Sequence, residues 1–236
     1  MHQFKINGAL HLDKADEAPD QPGLSVWYGR LSVGAADWDE SLAGTNSVAQ
    51  SQLLRALRDH SVKHRQQPLQ LDAVANFSTR WSGGLGPVLP EAWDDEFVGT
   101  WTADGEHEVA RATSSNTGRS ELLSLLESVF PLFCSPLYIG LAIDQSLRSR
   151  LRQHRTQLRR HWENASRDPD YPSRISQPRN FADRAIKVGF SPADLYFYTL
   201  HIEDGGNGLP DIRHDELLRS AEWLLNRWAN PILGRK

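Results

Sequence analysis

The sequence predicts an α+β fold, and three observations carry that expectation. Short apolar segments at 24–28, 137–140 and 194–202 have strand character. Elsewhere leucines recur at helical spacing: at 53, 54 and 57, at 122, 123, 125 and 126, and at 147, 151 and 158. Clusters of Pro and Gly separate the two kinds of segment, and no internal repeat or low-complexity tract interrupts them.

Taken in order, residues 4–12 read as a short strand followed by an acidic, proline-bearing loop. Pro22 and Gly23 then turn the chain into a strand that reaches Tyr28. Residues 34–47 read as loop and 51–57 as helix, and 69–75 as a strand entering a glycine-rich bend at 83–87. Residues 97–102 and 107–112 flank Ala103, Asp104, Gly105 and Glu106 as a hairpin would. A helix over 120–130 is followed by the strand that starts after Pro136, and then by a helix from Leu147 to about Trp162. Residues 162–180 carry Pro169, Pro172 and Pro178 and read as an exposed loop. One or two helical turns over 181–187 close at Gly189, an aromatic-rich strand occupies 194–202, and turn material fills 204–208. The last helix runs over 214–228 and stops at Asn230 and Pro231, with Leu218, Ala221, Leu225 and Trp228 as its apolar face.

Composition bounds the class. A chain of 236 residues with 39% hydrophobic and 24% charged residues can bury a core, as one domain with a large insertion or as two small domains. No apolar run approaches the roughly 18 residues needed to cross a bilayer, and residues 1–5 do not open a signal peptide. The expectation is a cytoplasmic protein with no membrane partner. The single cysteine, Cys134, leaves no internal disulfide or cysteine-rich zinc site and reads as a small core residue at a strand start.

The formal net charge of −4 argues mildly against nucleic acid, but the charge is unevenly distributed. Arg148, Arg150, Arg152, Arg155, Arg159 and Arg160 fall within thirteen residues that contain no acid, whereas acids crowd 13–20 and 92–108. On a helix, Arg148, Arg152, Arg155 and Arg159 form one stripe, and Arg150 and His154 form a neighbouring pair. Guanidinium groups match phosphate oxygens through paired donors, so the stripe suits a nucleic-acid backbone. The competing reading is a solvated or ion-paired helix face. Tyr138 is followed two residues later by Gly140, where a missing side chain admits a close approach, and Glu222 sits at the edge of the apolar face of the last helix, where a carboxylate needs a cation or an arginine.

These segments resemble, in order, the motifs of the GIY-YIG nuclease family: Pro136, Leu137, Tyr138, Ile139 and Gly140; then Arg150, Leu151, Arg152, Gln153 and His154; then Glu222, followed by Asn230 and Gly234. The roughly seventy-residue gap from Arg150 to Glu222 suits that order. The resemblance implies a central, mainly antiparallel three-stranded sheet flanked by helices, with an inserted α/β region. The family's opening strand is matched best by Gly23, Leu24, Ser25, Val26, Trp27 and Tyr28, with a degenerate strand at 129–133 as the alternative. On the first reading the chain divides into 1–29 with the first core strand, an insertion at 30–133 that recognises a target or a second subunit, and a nuclease core at 134–236.

Two departures from the family stand out. Ser25 replaces the first tyrosine, with Trp27 or Tyr28 as candidates to fill its space, and Leu141 stands where some members carry lysine. The implied activity is metal-dependent DNA endonuclease. Glu222 would bind Mg2+ or Mn2+, Tyr138 and His154 would assist the attacking water, Arg150 would stabilise charge on the phosphoryl oxygens, and Asn230 would support the glutamate helix. A phenol titrates near ~10 in model peptides, so a tyrosine acts as a base only beside a cation or as a relay. Arg148, Arg152, Arg155, Arg159 and Arg160 would grip DNA, double-stranded in expectation, and a homodimer or larger complex through the insertion stays open. The rival readings are a catalytically silent DNA-binding member and a subunit whose arginines meet an acidic protein. His60 and His64 share a helical face but have no third ligand in the sequence pattern, and read as surface histidines. The three principal groups must converge on one phosphate-sized space, and a carboxylate on the opposite side of the sheet from the phenol and the guanidinium would count against the nuclease reading.

Overall fold

The computed structural model describes residues 3–31, 33–64, 69–75, 81–87, 103–129, 134–176, 178–203 and 214–234. The strands are β1 (Gln3–His11), β2 (Gly23–Gly29), β3 (Leu69–Ala75), β4 (Trp81–Pro87), β5 (Tyr138–Ala142) and β6 (Leu195–Glu203). The helices are α1 (Glu40–Ala43), α2 (Asn46–His64), α3 (Ala103–Ala112), α4 (Asn116–Val129), α5 (Leu147–Arg167), α6 (Tyr171–Arg174), α7 (Phe181–Lys187) and α8 (His214–Trp228). The chain forms two compact units: residues 1–32, 59–64 and 125–236 make the first, and 33–58 and 65–124 the second.

The first unit is built on a four-stranded sheet of order β1-β6-β2-β5 in which every pair is antiparallel. This corrects the expected three-stranded sheet. The fourth strand is β1, which pairs along β6 with Phe4 opposite Ile202 and Ile6 opposite Leu200. Strand β2 lies beside β5, with Ser25 opposite Gly140 and Trp27 opposite Tyr138, although more than a hundred residues separate them in the chain. Gly23 is required at the start of β2, because a Cβ there would fall on the Leu200 carbonyl and 2.7 Å from a Leu147 methyl carbon.

Side chains alternate across the sheet and create two cores. On one face Trp27, Phe197 and Ala142 pack against Leu147, Leu151 and Leu158 of α5 and Phe181 and Ile186 of α7. On the other face Leu24 and Ile202 pack against Leu218 of α8, with Leu141, Leu200, Ala221 and Leu225 around them. Helices α5 and α8 therefore flank opposite faces. Ser146 caps α5 by accepting from Ser149 N at 3.2 Å, and the carbonyls of Pro19 and Gln21 accept from the first backbone N–H groups of that helix. Asn180 and Asp183 form a reciprocal capping box on α7.

The second unit holds the β3-β4 hairpin, α1, α3 and most of α2 and α4. Its buried hub is Arg119, whose guanidinium donates to the carbonyls of Trp38 at 2.6 Å and Thr113 at 3.0 Å and to Asn46 Oδ1 at 2.7 Å. These bonds, with a fourth to Asn116 Oδ1 at 3.3 Å, are what let a charge sit in this interior.

Several local expectations change. Residues 107–112 are helical within α3 and not a hairpin strand, while 97–102 and 204–208 lie outside the described residues. The glycine-rich 83–87 belongs to strand β4 and is not a bend. Residues 34–47 contain a 3-10 turn at Ala35–Asp37 and α1, and α5 continues to Arg167 into the expected loop. Val129 ends α4, and the rest of the alternative first strand, 130–133, lies outside the described residues. Cys134 is half-buried and precedes β5 by several residues, not at the strand start. His60 and His64 are a half-buried ring pair 4.0 Å apart, with His64 edge-on to Phe190, and not surface residues.

Candidate active site

The edge strand β5 positions Tyr138. Its ring stacks on Phe181 with centroids 5.0 Å apart and meets His154 edge-on at 6.2 Å, while the Arg184 guanidinium carbon lies 5.5 Å from its centroid. Gly140 is where this arrangement becomes mandatory. A Cβ at 140 would stand 2.6 Å from Tyr138 Cε1 and 3.2 Å from its hydroxyl, so the phenol occupies the space that glycine leaves. The glycine therefore makes room for its own strand's tyrosine, not for a phosphate.

Beside this edge lies a cleft of about 680 Å³ lined by Tyr138, Ile139, Leu141, Arg150, Glu222, Trp223, Asn226, Arg227 and Asn230. Tyr138 and Arg150 come from the α5 side of the sheet and Glu222 from α8 on the other. Because β5 is the outer strand, the groups meet around its edge. The carboxylate's helix thus lies on the opposite side of the sheet from the phenol and the guanidinium, the arrangement set against the nuclease reading, and the three groups still line one space because β5 is the edge strand. The volume lies within the roughly 300–1,000 Å³ of ligand clefts.

Asn230 works through the backbone. It adopts a left-handed φ of 44°, a conformation asparagine tolerates, and turns the chain out of α8. Ile232 and Leu233 then donate backbone N–H groups to Pro136 O and Leu137 O at 3.1 and 2.7 Å, tying the chain end to the approach of β5. Asn226 Nδ2 donates to the Glu222 carbonyl at 3.0 Å and lines the same cleft.

His154 is not part of the lining. It is 3% exposed, packed edge-on against Trp27 and Phe181, and its Nδ1 is buried without a hydrogen-bond partner among the described residues. Burial, reinforced by Arg150 and Arg184, pushes it down to about 3, so at neutral pH it is an uncharged ring.

Ser25 is 2% exposed with its hydroxyl 3.5 Å from the Gly140 carbonyl. Trp27 shares its sheet face and fills the core behind it, whereas Tyr28 points to the other face and stacks on Tyr196 at 5.7 Å. Tyr28 therefore does not fill the space beside Ser25.

The arginine stripe is a seam within the chain. Arg155 donates to Asp16 at 2.8 Å and to the Asp13 carbonyl at 3.0 Å, Arg159 pairs with Asp13 at 2.6 Å, and Arg152 pairs with Asp16. Arg148 meets Asp20 at 3.5 Å and the Ala18 carbonyl at 2.9 Å. Hydrogen bonds from Arg155 and Arg152 hold the Asp16 carboxyl down to about 2. The acidic partner is the 3-10 segment Leu12–Glu17, anchored by fully buried Leu12 and Ala15 with Ala18 just beyond it. Four guanidinium groups expected on DNA are thus committed elsewhere, while Arg160 is exposed and engages none of these carboxylates.

Sequence reasoning missed Arg184, Trp223 and Arg227. Arg184 had no local signal, since its place over Tyr138 depends on how α7 packs. Trp223 did, because a large aromatic ring beside Glu222 lies off the apolar stripe of its helix. Trp228, assigned to that stripe, is 73% exposed and does not belong to it.

Among the described residues no three His, Cys, Asp or Glu side chains converge on a common point, and no helix is long and apolar enough to cross a membrane. Comparison of the chain with family models, with curated proteins and with solved structures finds no match in any of the three.

Proposed function

We propose that this protein is a divalent-metal-dependent DNA endonuclease related to the GIY-YIG family, with its reaction centre in the cleft at the edge of β5. The observation that carries the reading is that Tyr138, Arg150, Glu222 and Asn230 line one cleft although β5, α5 and the end of the chain at α8 supply them separately. Arg150 would donate paired hydrogen bonds to the non-bridging oxygens and take up the charge that grows on them. Tyr138, its ring beside the Arg184 guanidinium, would orient the attacking water and relay its proton. His154, uncharged and buried, would act as a positioning residue for Tyr138 and not as a proton carrier.

The donor set suits Mg2+ or Mn2+. It offers the Glu222 carboxylate, the amide oxygen of Asn226 and a phenol, which are hard oxygen donors, and a mostly hydrated Mg2+ is commonly held by one or two carboxylates. Bound at Glu222, such an ion would polarise the scissile phosphate and stabilise the leaving oxygen.

The test is nicking of supercoiled plasmid with Mg2+ or Mn2+. The parent should cut. R150A should lose about 10²–10³-fold in rate while remaining folded, as expected for one charge-stabilising donor. E222Q should lose both activity and its metal dependence. Retention of plasmid without nicking by the parent would favour the rival reading, a silent DNA-binding protein, for which buried Ser25 in place of a second phenol is the specific motive. R150A cutting at the parental rate would remove Arg150 from the reaction.

A further inference from the structure

Trp223 is 56% exposed at the rim of the cleft, next in sequence to Glu222. The inward face of α8 is made by Leu218, Ala221 and Leu225, and the ring stands outside that core. One turn on, the Arg227 guanidinium carbon lies 4.1 Å from the ring centroid, and both residues line the same cleft as Arg150. A half-exposed indole forfeits much of the burial that makes tryptophan useful in a core, while a planar π-face held by a stacked cation is how proteins take up an unstacked base. The occupant this surface matches is planar and carries negative charge beside its ring, which describes a nucleotide.

We infer that Trp223 and Arg227 form a base platform for one unpaired nucleotide adjoining the scissile phosphate, so that the preferred substrate is DNA with a bulged, extruded or single-stranded residue at the cut. The inference rests on the nuclease reading of the cleft and deepens it. In an intact duplex each base face is covered by its neighbours, so an indole can stack only on a base that has left the helix. Arg227 would neutralise the flanking phosphate and hold the ring in orientation, and Trp223 would supply the stacking surface.

The experiment uses the full chain as E222Q, with fluorescein-labelled DNA and no divalent metal, so that binding is read without cleavage. Three DNAs of equal length are compared: a perfect duplex, the duplex with one unpaired nucleotide, and the same bulge with an abasic residue. Adding W223A should weaken binding of the bulged DNA about tenfold, as loss of one stacked base does, and leave the other two unchanged. W223F should keep most of the affinity. Thermal unfolding of each variant establishes that it is folded. Equal weakening on all three DNAs, or no weakening on any, overturns the platform.

The two readings fail separately. If the parent nicks plasmid while W223A binds bulged DNA normally, the platform alone is wrong. If the parent does not nick yet the bulge-specific loss appears, the platform stands and the nuclease reading falls. Absence of binding to any of the three DNAs overturns the platform, and absence of nicking by the parent as well overturns both.

Discussion

At the level of single residues the candidate site depends on Gly140 as much as on the groups that carry chemistry. The space above its Cα is filled by the Tyr138 ring, which is also stacked on Phe181, so a methyl group at 140 cannot be absorbed without moving the phenol. Gly140→Ala should cost about 1–3 kcal/mol of stability, the range for an overpacked position, and should slow plasmid nicking through displacement of Tyr138. Denaturant unfolding and nicking rates check the two halves; a variant as stable and active as the parent would detach the tyrosine's position from the glycine. The tyrosine, arginine and glutamate of the cleft were singled out in the sequence by residue type and position, and one cleft brings the three together. Arg184 was not, since its relation to Tyr138 is created by the packing of α7. His154 was legible as a residue and misread as to environment: its partners Trp27 and Phe181 come from other segments, and spacing on α5 does not show what covers that side.

At the level of elements, the sequence shows both halves of the α5 seam without showing that they meet. The arginines of 148–159 and the acids of 13–20 are each conspicuous, but only the pairing of the 3-10 segment Leu12–Glu17 against α5 neutralises one with the other. The buried Leu12 and Ala15 make this a fixed part of the fold. Strand β1 escaped prediction as a sheet member for the same reason, since its partner β6 lies at the far end of the chain. α3 was misread because Asp104 and Gly105 carry a turn signal, which the surrounding helix overrides; Ala110 within it accepts from Gln50 at 2.6 Å and Thr113 just beyond it is buried. Arg155→Ala should therefore lower the melting temperature, more at low salt than at high, and change DNA affinity by less than about twofold. Arg150→Ala should do the reverse, sparing the melting temperature and losing cleavage. Loss of DNA binding by R155A with unchanged melting would return the stripe to the nucleic acid.

At the scale of the whole molecule, acidification tests whether the buried histidines are neutral as the packing requires. His154 and His60 are pushed down to about 3, chiefly by burial, and His64 and His201 are lowered in the same direction, again with burial as the main cause. An unfolded histidine titrates near ~6.5, so between that pH and about 3 the unfolded chain binds protons that the folded chain refuses. Stability is then fully present above about 6.5 and falls as pH drops, by up to about 1.4 kcal/mol per pH unit for a fully buried histidine and less for half-buried His60. Asp16, held down to about 2 by Arg155 and Arg152, adds a second loss in the same direction, from about pH 4 toward 2, as its ion pairs are protonated away. Unfolding midpoints at pH 7, 6 and 5 should fall in sequence, above the window in which Asp16 titrates. His154→Gln removes one titrating group without removing polarity from the site, so it should flatten this slope by one proton's worth while leaving the later, Asp16-dependent loss intact. A wild-type midpoint that stays constant from pH 7 to 5 would mean that these rings accept protons in the folded state, and the cationic edge at Arg150 and Arg184 would then need a different electrostatic account.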